Sequence, residues 1–363
     1  MAFILASLFY MTYALKALKN KVRQRPAGES ALLVVKLFHR NCNLESTTMQ
    51  QLRKALAVFS VALITLASFT IQAQQPRFLS LTPPEGLPII PVMEGWVGNP
   101  DGSRSISFGY INRNDVAVDL PLGEANNIDP PEYGGMQPTH FPPGRGTGVF
   151  TVDVPADKAT TDVWWSLKTG SQEPLRVPGR SGRDAYELDF ILPRPKGAMQ
   201  VHAGFGESDP ISPGLMASIR DYAGSVKVGE EVLLSVKVKD ISVRDLNDTR
   251  FKEPLPVGVH FYQHQGAGEV TFTRHPDTSV PVNPYEPDDR RFAFFREPAA
   301  NDVEIPGVEG VFTTEGVARV FAKFAQPGEY IIRAKAENYD SPDSSDGDQC
   351  CWTNVFQRIT VTP

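Results

Sequence analysis

The sequence predicts an all-β protein, two antiparallel β-sandwich domains behind an N-terminal signal or hydrophobic segment. Three observations point that way. Residues 74–363 hold 30 of the 31 Pro and 28 of the 29 Gly, so about one residue in five is a chain breaker and long helices have little room. Between the breakers lie short alternating or β-rich runs, at the spacing of turn-linked sandwich strands. With 41% hydrophobic residues over 363 positions, the chain has enough apolar surface for more than one core, and extensive disorder is disfavoured.

The first element is an address. Met49 opens a stretch in which Arg53-Lys54 precedes the uncharged run Ala55–Ile71 and then Gln72-Ala73-Gln74, the basic, apolar and small-residue order of a secretory signal peptide at 49–73. Cleavage is expected after Ala73, with Ala67 as the second choice. The alternative is an uncleaved anchor over residues 55–71, which would put the protein at a membrane, although 17 residues interrupted by Ser and Thr fall short of the ~20 a spanning helix prefers. Residues 1–48 read as a mis-called start or an extra hydrophobic extension, since Met49 is a complete alternative start. Without residues 1–73 the chain carries 27 basic and 40 acidic residues; that acidity argues against a nucleic-acid partner.

The strands then follow in order: Ser105–Ile111, Gly148–Val154, Val163–Lys168 and Ala185–Leu192 in a first domain, residues 74–212; and Val232–Lys239, Val257–His264, Glu269–Arg274, Val317–Phe324, Tyr330–Ala336 and Val355–Thr362 in a second, residues 213–363. Asn99-Pro100-Asp101-Gly102 is a hairpin turn, because Pro fixes φ and Gly accepts the positive φ that closes it. The Pro/Gly-rich stretch Pro193–Pro213 reads as an extended linker.

Val228-Gly229-Glu230-Glu231-Val232, Gly316–Phe321 and Pro327-Gly328-Glu329-Tyr330-Ile331-Ile332 together resemble bacterial immunoglobulin-like and PKD-type domains. The resemblance covers about residues 222–363 and implies an immunoglobulin-like sandwich. It also implies that the Tyr330 hydroxyl ties to a nearby backbone group at the corner before the penultimate strand. Between Phe251 and Val311 the connections are longer and richer in Pro than the pattern allows. The segments Gly95–Gly102, Phe108–Asn114, Gln137–Phe141 and Cys350–Asn354 are similar to a group of exported bacterial proteins without an assigned activity, which implies an address and an architecture but no catalytic residue.

No nucleophile elbow, cofactor fingerprint or zincin motif is present, so the remaining constellations are weighed one by one. His260 and His264 have H-x-x-x-H spacing, but on a strand they would stand about 13 Å apart, too far to share a metal. Asp340, Asp343, Asp346 and Asp348 crowd one loop; their oxygens suit Ca²⁺, the only cofactor considered, yet a solvated turn is the preferred reading. His140 could act as a general base with Asp129 and Glu132, which lie near it in sequence, although no Ser or Cys accompanies it. Trp164 and Trp165 must face opposite sides of a strand, one filling a core and the other free to meet an interface or a sugar ring. Cys350 and Cys351, left alone once Cys42 is removed with the leader, are expected to form a vicinal disulfide beside Trp352, making a rigid apolar platform; one buried and one exposed or intermolecularly paired thiol is the alternative.

The functional expectation is accordingly a non-enzymatic exported binding or scaffolding protein of the bacterial envelope. It would be periplasmic, cell-surface or secreted, with a protein or glycan partner. A carbohydrate-binding or polysaccharide-processing accessory protein is the second expectation, and a hydrolase built on His140 the third.

Overall fold

Alternation of side chains decides where the strands lie and which face each presents. A computed structural model describes residues 86–188, 199–242, 256–308 other than 279, 281, 282, 284 and 296, 313–338 and 352–363. All belong to the compact unit Thr82–Pro363. The leader, Asp340, Asp343, Asp346, Asp348, Cys350 and Cys351 lie outside the described residues.

The first sandwich is built from β1 (Ile90–Gly98), β2 (Arg104–Asn112), β3 (Val118–Asp119), β4 (Asn126–Asp129), β5 (His140–Phe141), β6 (Gly144–Val154), β7 (Val163–Leu167) and β8 (Leu175–Gly179). One sheet has the order β1-β2-β6 and another β4-β7-β8, with β3 and β5 forming a short separate ladder. The β1–β2 hairpin closes through Gly102, whose φ is 85° and whose N–H donates to the Asn99 carbonyl at 2.9 Å, as the sequence requires. Trp165 on β7 is fully buried and meets Phe150 edge-on at 4.9 Å and Phe108 at 5.9 Å. Its indole N–H donates to Asn126 Oδ1 at 2.9 Å, so this large ring enters the core without an orphaned donor.

The expected strand at Ala185–Leu192 is not a strand over its described part. Asp184–Tyr186 is a 3-10 turn, Glu187 makes an isolated bridge to Trp96, and Leu188 is buried in a small cluster with Leu215 and Trp352. The alternation there reflects one apolar anchor rather than two sheet faces.

The second sandwich comprises β9 (His202–Phe205), β10 (Ser218–Asp221), β11 (Val226–Lys227), β12 (Glu231–Lys239), β13 (Val257–Gln265), β14 (Val270–Arg274), β15 (Asp302–Ile305), β16 (Glu315–Phe324), β17 (Gly328–Glu337) and β18 (Trp352–Thr362). Its sheets have the orders β14-β16-β12-β9 and β10-β18-β17-β13-β15, with β11 also on β18. β10 and β11 run parallel to β18, whereas the other pairs are antiparallel. This order, with the first strand shared between two sheets and its second part parallel to the last strand, is an immunoglobulin-like sandwich. Strict alternation explains its core. Val232, Leu234, Val236 and Val238 of β12 face Ala334 and Ala336 of β17 and Val257, Val259 and Phe261 of β13 inside one buried cluster.

β9 falls within the stretch read as linker. Val201, Ala203 and Phe205 are buried in the second core, and we therefore place the passage between the two cores before Val201. The Tyr330 hydroxyl donates to the Gln326 carbonyl at 2.8 Å, forming the corner that the resemblance implies. The departure between Phe251 and Val311 has a structural form: β14 crosses to the opposite sheet before the chain returns as β15 to flank β13.

Candidate functional site

The outer face of the β10-β18-β17-β13-β15 sheet carries the most polar chemistry of the described residues. Successive residues on a strand alternate faces, so the core residues of β13 and β17 leave Gly258, His260 and Tyr262, and Arg333, Lys335 and Glu337, on the outside. Half of this face is covered by the first sandwich and half is open.

The covered half is a seam centred on Gly148 of β6. Its φ of 56° is a left-handed value that favours glycine, and a Cβ there would stand 2.4 Å from the Trp352 ring. The Gly148 N–H donates to Glu94 Oε2 at 2.6 Å. Its carbonyl accepts from Arg333 at 2.6 Å and from Asn354 at 2.9 Å. Arg333 is buried and stacks over Tyr262 at 4.4 Å. Burial raises the pKa of Glu94, opposed by the Gly148 N–H and the Lys335 charge. Further along, the Thr139 N–H donates to the His264 carbonyl at 2.8 Å and His264 Nε2 donates to the Met136 carbonyl at 2.7 Å. His264 is buried; burial first, then the nearby Arg333 charge, depress its pKa to about 3 against a weaker opposing effect of the Met136 bond. It is a neutral structural histidine.

The open half is a cleft of ≈ 420 Å³ whose lining includes Gly258, His260, Asp302, Glu304, Glu337 and Asn338. Register assembles it. His260 is paired across the sheet with Asp302 on one side and Lys335 on the other, and Gly258 with Glu304 and Glu337. His260 Nδ1 lies 2.8 Å from Asp302 and Nε2 3.3 Å from Glu337, while Lys335 Nζ sits 2.6 Å from Glu337. Burial works against the His260 charge, but the two carboxylates outweigh it and push its pKa up to about 9. Burial likewise opposes ionisation of Glu337, and Lys335 and His260 overcome that, holding it down to about 2. His260 and His264 therefore occupy opposite environments, and His264 sits in the bulge between Gln263 and Gln265. The spacing argument does not anticipate the carboxylate clasp, because Asp302 and Glu337 arrive from distant strands. Among the described residues no group of three or more His, Cys, Asp and Glu side chains is placed to hold a metal ion.

The other residues singled out in the sequence are dispersed. His140 lies on β5 with Nδ1 2.7 Å from Asp119 of β3, its partner in the two-strand ladder. The carboxylates near it in sequence are turned elsewhere: Asp129 lies 3.9 Å from Arg176 and Glu132 3.1 Å from Lys158. Trp164 faces away from Trp165 and is half-buried, with the Arg176 guanidinium 5.0 Å over its ring. Trp352 belongs to the seam, largely buried, with Lys335 Nζ 5.4 Å from its ring centroid. Its indole N–H has no partner among the described residues.

No family model matches the chain, and no curated protein does. Among solved structures it is similar to the D00–D0 domain of intimin, at 12% identity over 76% of this chain and 100% of that one, with a TM-score of 0.20. It is also similar to the D0–D1 domain of intimin, at 10% identity over 74% and 97% of the two chains, with a TM-score of 0.18. At these scores neither likeness supports an argument; the fold assignment rests on strand order. No helix among the described residues is long and apolar enough to cross a membrane.

Proposed function

We propose that the protein is a non-enzymatic binding or scaffolding protein exported to the bacterial envelope, and that the His260 cleft is where its partner is met. The observation that carries this reading is the state of His260. Both ring nitrogens are engaged by carboxylates, and the pKa of about 9 keeps the imidazolium protonated at neutral pH. A base that already holds its proton between two acids is poorly suited to proton abstraction, so the cleft offers shape and charge. The signal-like stretch at 49–73 supports the address. The test is capture from envelope fractions and on glycan arrays, comparing the purified protein with its Gly258→Val variant. The expected result is an identified ligand retained by the first and lost by the second; equal retention by both would move the site elsewhere.

A second reading, a carbohydrate-binding accessory protein, is favoured by one observation: Trp164 is part-exposed beside Arg176 and Asp129, which can pair a ring face with polar contacts. Loss of a glycan-array signal in Trp164→Ala, with Gly258→Val unaffected, would select it.

A further inference from the structure

We infer that the contact between residues 135–139 of the first sandwich and the bulge of β13 is an acid-released latch, in which protonation of His264 frees the two sandwiches from each other while each keeps its core.

The latch is made of hydrogen bonds rather than apolar packing. The Thr139 N–H donates to the His264 carbonyl at 2.8 Å, and His264 Nε2 donates back to the Met136 carbonyl at 2.7 Å. Gln265 Nε2 donates to the carbonyls of Gly135 at 2.9 Å and Gln137 at 2.7 Å, and the Gly266 N–H to Thr139 Oγ1 at 3.3 Å. The two cores are separate clusters, and the small apolar group at the seam, Leu188, Leu215 and Trp352, belongs to neither. Parting the sandwiches there exposes polar groups that water satisfies and little of either core.

His264 at the centre of these bonds has room for one proton only. Its Nε2 is committed to Met136, and its ring stands edge-on to the buried Phe356 at 5.1 Å. A second proton would go to Nδ1, where the described residues place no acceptor, and would set an imidazolium near the buried Arg333 guanidinium with no carboxylate to offset it. The charged groups on the surrounding elements are engaged elsewhere: Arg358 of β18 with Asp221, Lys335 of β17 with Glu337, and, flanking the loop, Glu132 with Lys158 and His140 with Asp119. Burial keeps Tyr110 and Tyr262 neutral beside Arg333. Glu94 of β1 acts in the opposite direction. Burial raises its pKa, so it takes up a proton more readily in the closed seam than in an open one, which limits the release without reversing it. Once the seam opens, water reaches His264 and the ring accepts its proton near the ordinary 6.5. Each pH unit below that value then favours the open form by up to about tenfold.

The test is amide hydrogen exchange of the intact protein, read by NMR at pH 7 and pH 4.5 and corrected for intrinsic rates. Opening at the Thr139 and Gly266 amides should rise at least about tenfold, and up to roughly a hundredfold, between the two conditions. The rise should depend little on added urea, as a local opening does, whereas the amides of β12 and β7, each flanked by strands on both sides, should exchange with a strong urea dependence. His264→Gln keeps a donor for Met136 but takes up no proton, so its seam amides should change less than about threefold. Glu94→Gln removes the opposing proton uptake and should enlarge the rise. A wild-type rise below threefold, a urea dependence at the seam equal to that of the core strands, or the full rise in His264→Gln would each overturn the latch. Should His264→Gln fail to fold, the wild-type rise and its urea dependence decide alone.

Discussion

The covered and open halves of one sheet face use the same residue types for opposite ends. In the seam, Arg333 and His264 are buried under the first sandwich, and the histidine has lost its charge. In the cleft, four residues back along β13, His260 keeps its charge because Asp302 and Glu337 close around it. Burial acts against the imidazolium in both places; the neighbours decide the outcome. Where the partners are carbonyls and a like charge, desolvation wins; where they are two carboxylates, Coulomb attraction and hydrogen bonding win.

The comparison is most directly broken at Gly148. Valine there must abandon the left-handed φ and press into the Trp352 ring, and the combined strain and overpacking should cost about 3–5 kcal/mol. Urea unfolding should show that loss while the cleft ligand, if the variant is still folded, binds as before. An unchanged midpoint would mean that the seam does not hold the sandwiches together.

Acid should attack the seam. The folded pKa of His264, about 3, lies below its ordinary 6.5, so its contribution is complete above pH 6.5 and shrinks as pH falls toward 3, by up to about 5 kcal/mol. In a stability–pH series His264→Gln should flatten this limb. Alkali should attack the cleft. The folded pKa of His260, about 9, lies above 6.5, so its contribution is complete below pH 6.5 and is lost as pH rises through 9, on the order of 3 kcal/mol. His260→Gln should remove that alkaline limb and, because His260 helps hold Glu337 down to about 2, also shrink the Glu337 part of the acid limb below pH 4.5, leaving the His264 part between pH 6.5 and 4.5 in place. If His264→Gln altered the alkaline limb, the two halves would be one titrating network.

The smallest effect serves as a baseline remote from both. Tyr330→Phe deletes the hydroxyl's bonds to the Gln326 carbonyl and the Gly268 backbone and should cost about 1–2 kcal/mol at every pH, measured as a parallel shift of the unfolding curve.

The strands that sequence reasoning finds are those whose alternation is clean. Glu231–Lys239 and Glu315–Phe324 show a polar–apolar period of two because one face is core and the other solvent. β1 escapes notice because Pro91, Gly95 and Gly98 interrupt it, yet the hairpin and Trp96 hold it in place. β9 is hidden in a Pro/Gly-rich stretch, where its backbone must approach Pro210 closely at Gly204. The site is legible only in its nearest parts. His260 stands out on a strand, but Asp302 and Glu337 lie 42 and 77 positions away, and only a sheet register brings them to it. His140 has the same lesson in reverse: its neighbours in sequence, Asp129 and Glu132, are held by other cations, and Asp119 across the ladder takes their place.

The parallel pairing of β10 and β11 with β18 has a mechanical side. Ser218–Asp221 and Val226–Lys227 are matched along Val355–Arg358 and Val361–Thr362, so a tug on the end of β18 along its axis slides the two ladders past each other instead of peeling them apart. In that shear arrangement the ladder bonds are loaded together, and rupture requires several to fail at once. The opposite edge, where β15 holds β13 through four residue pairs, has no such parallel clamp. Load applied to β18 is therefore shared among β10, β11 and β17, and reaches β15 only through β17 and β13.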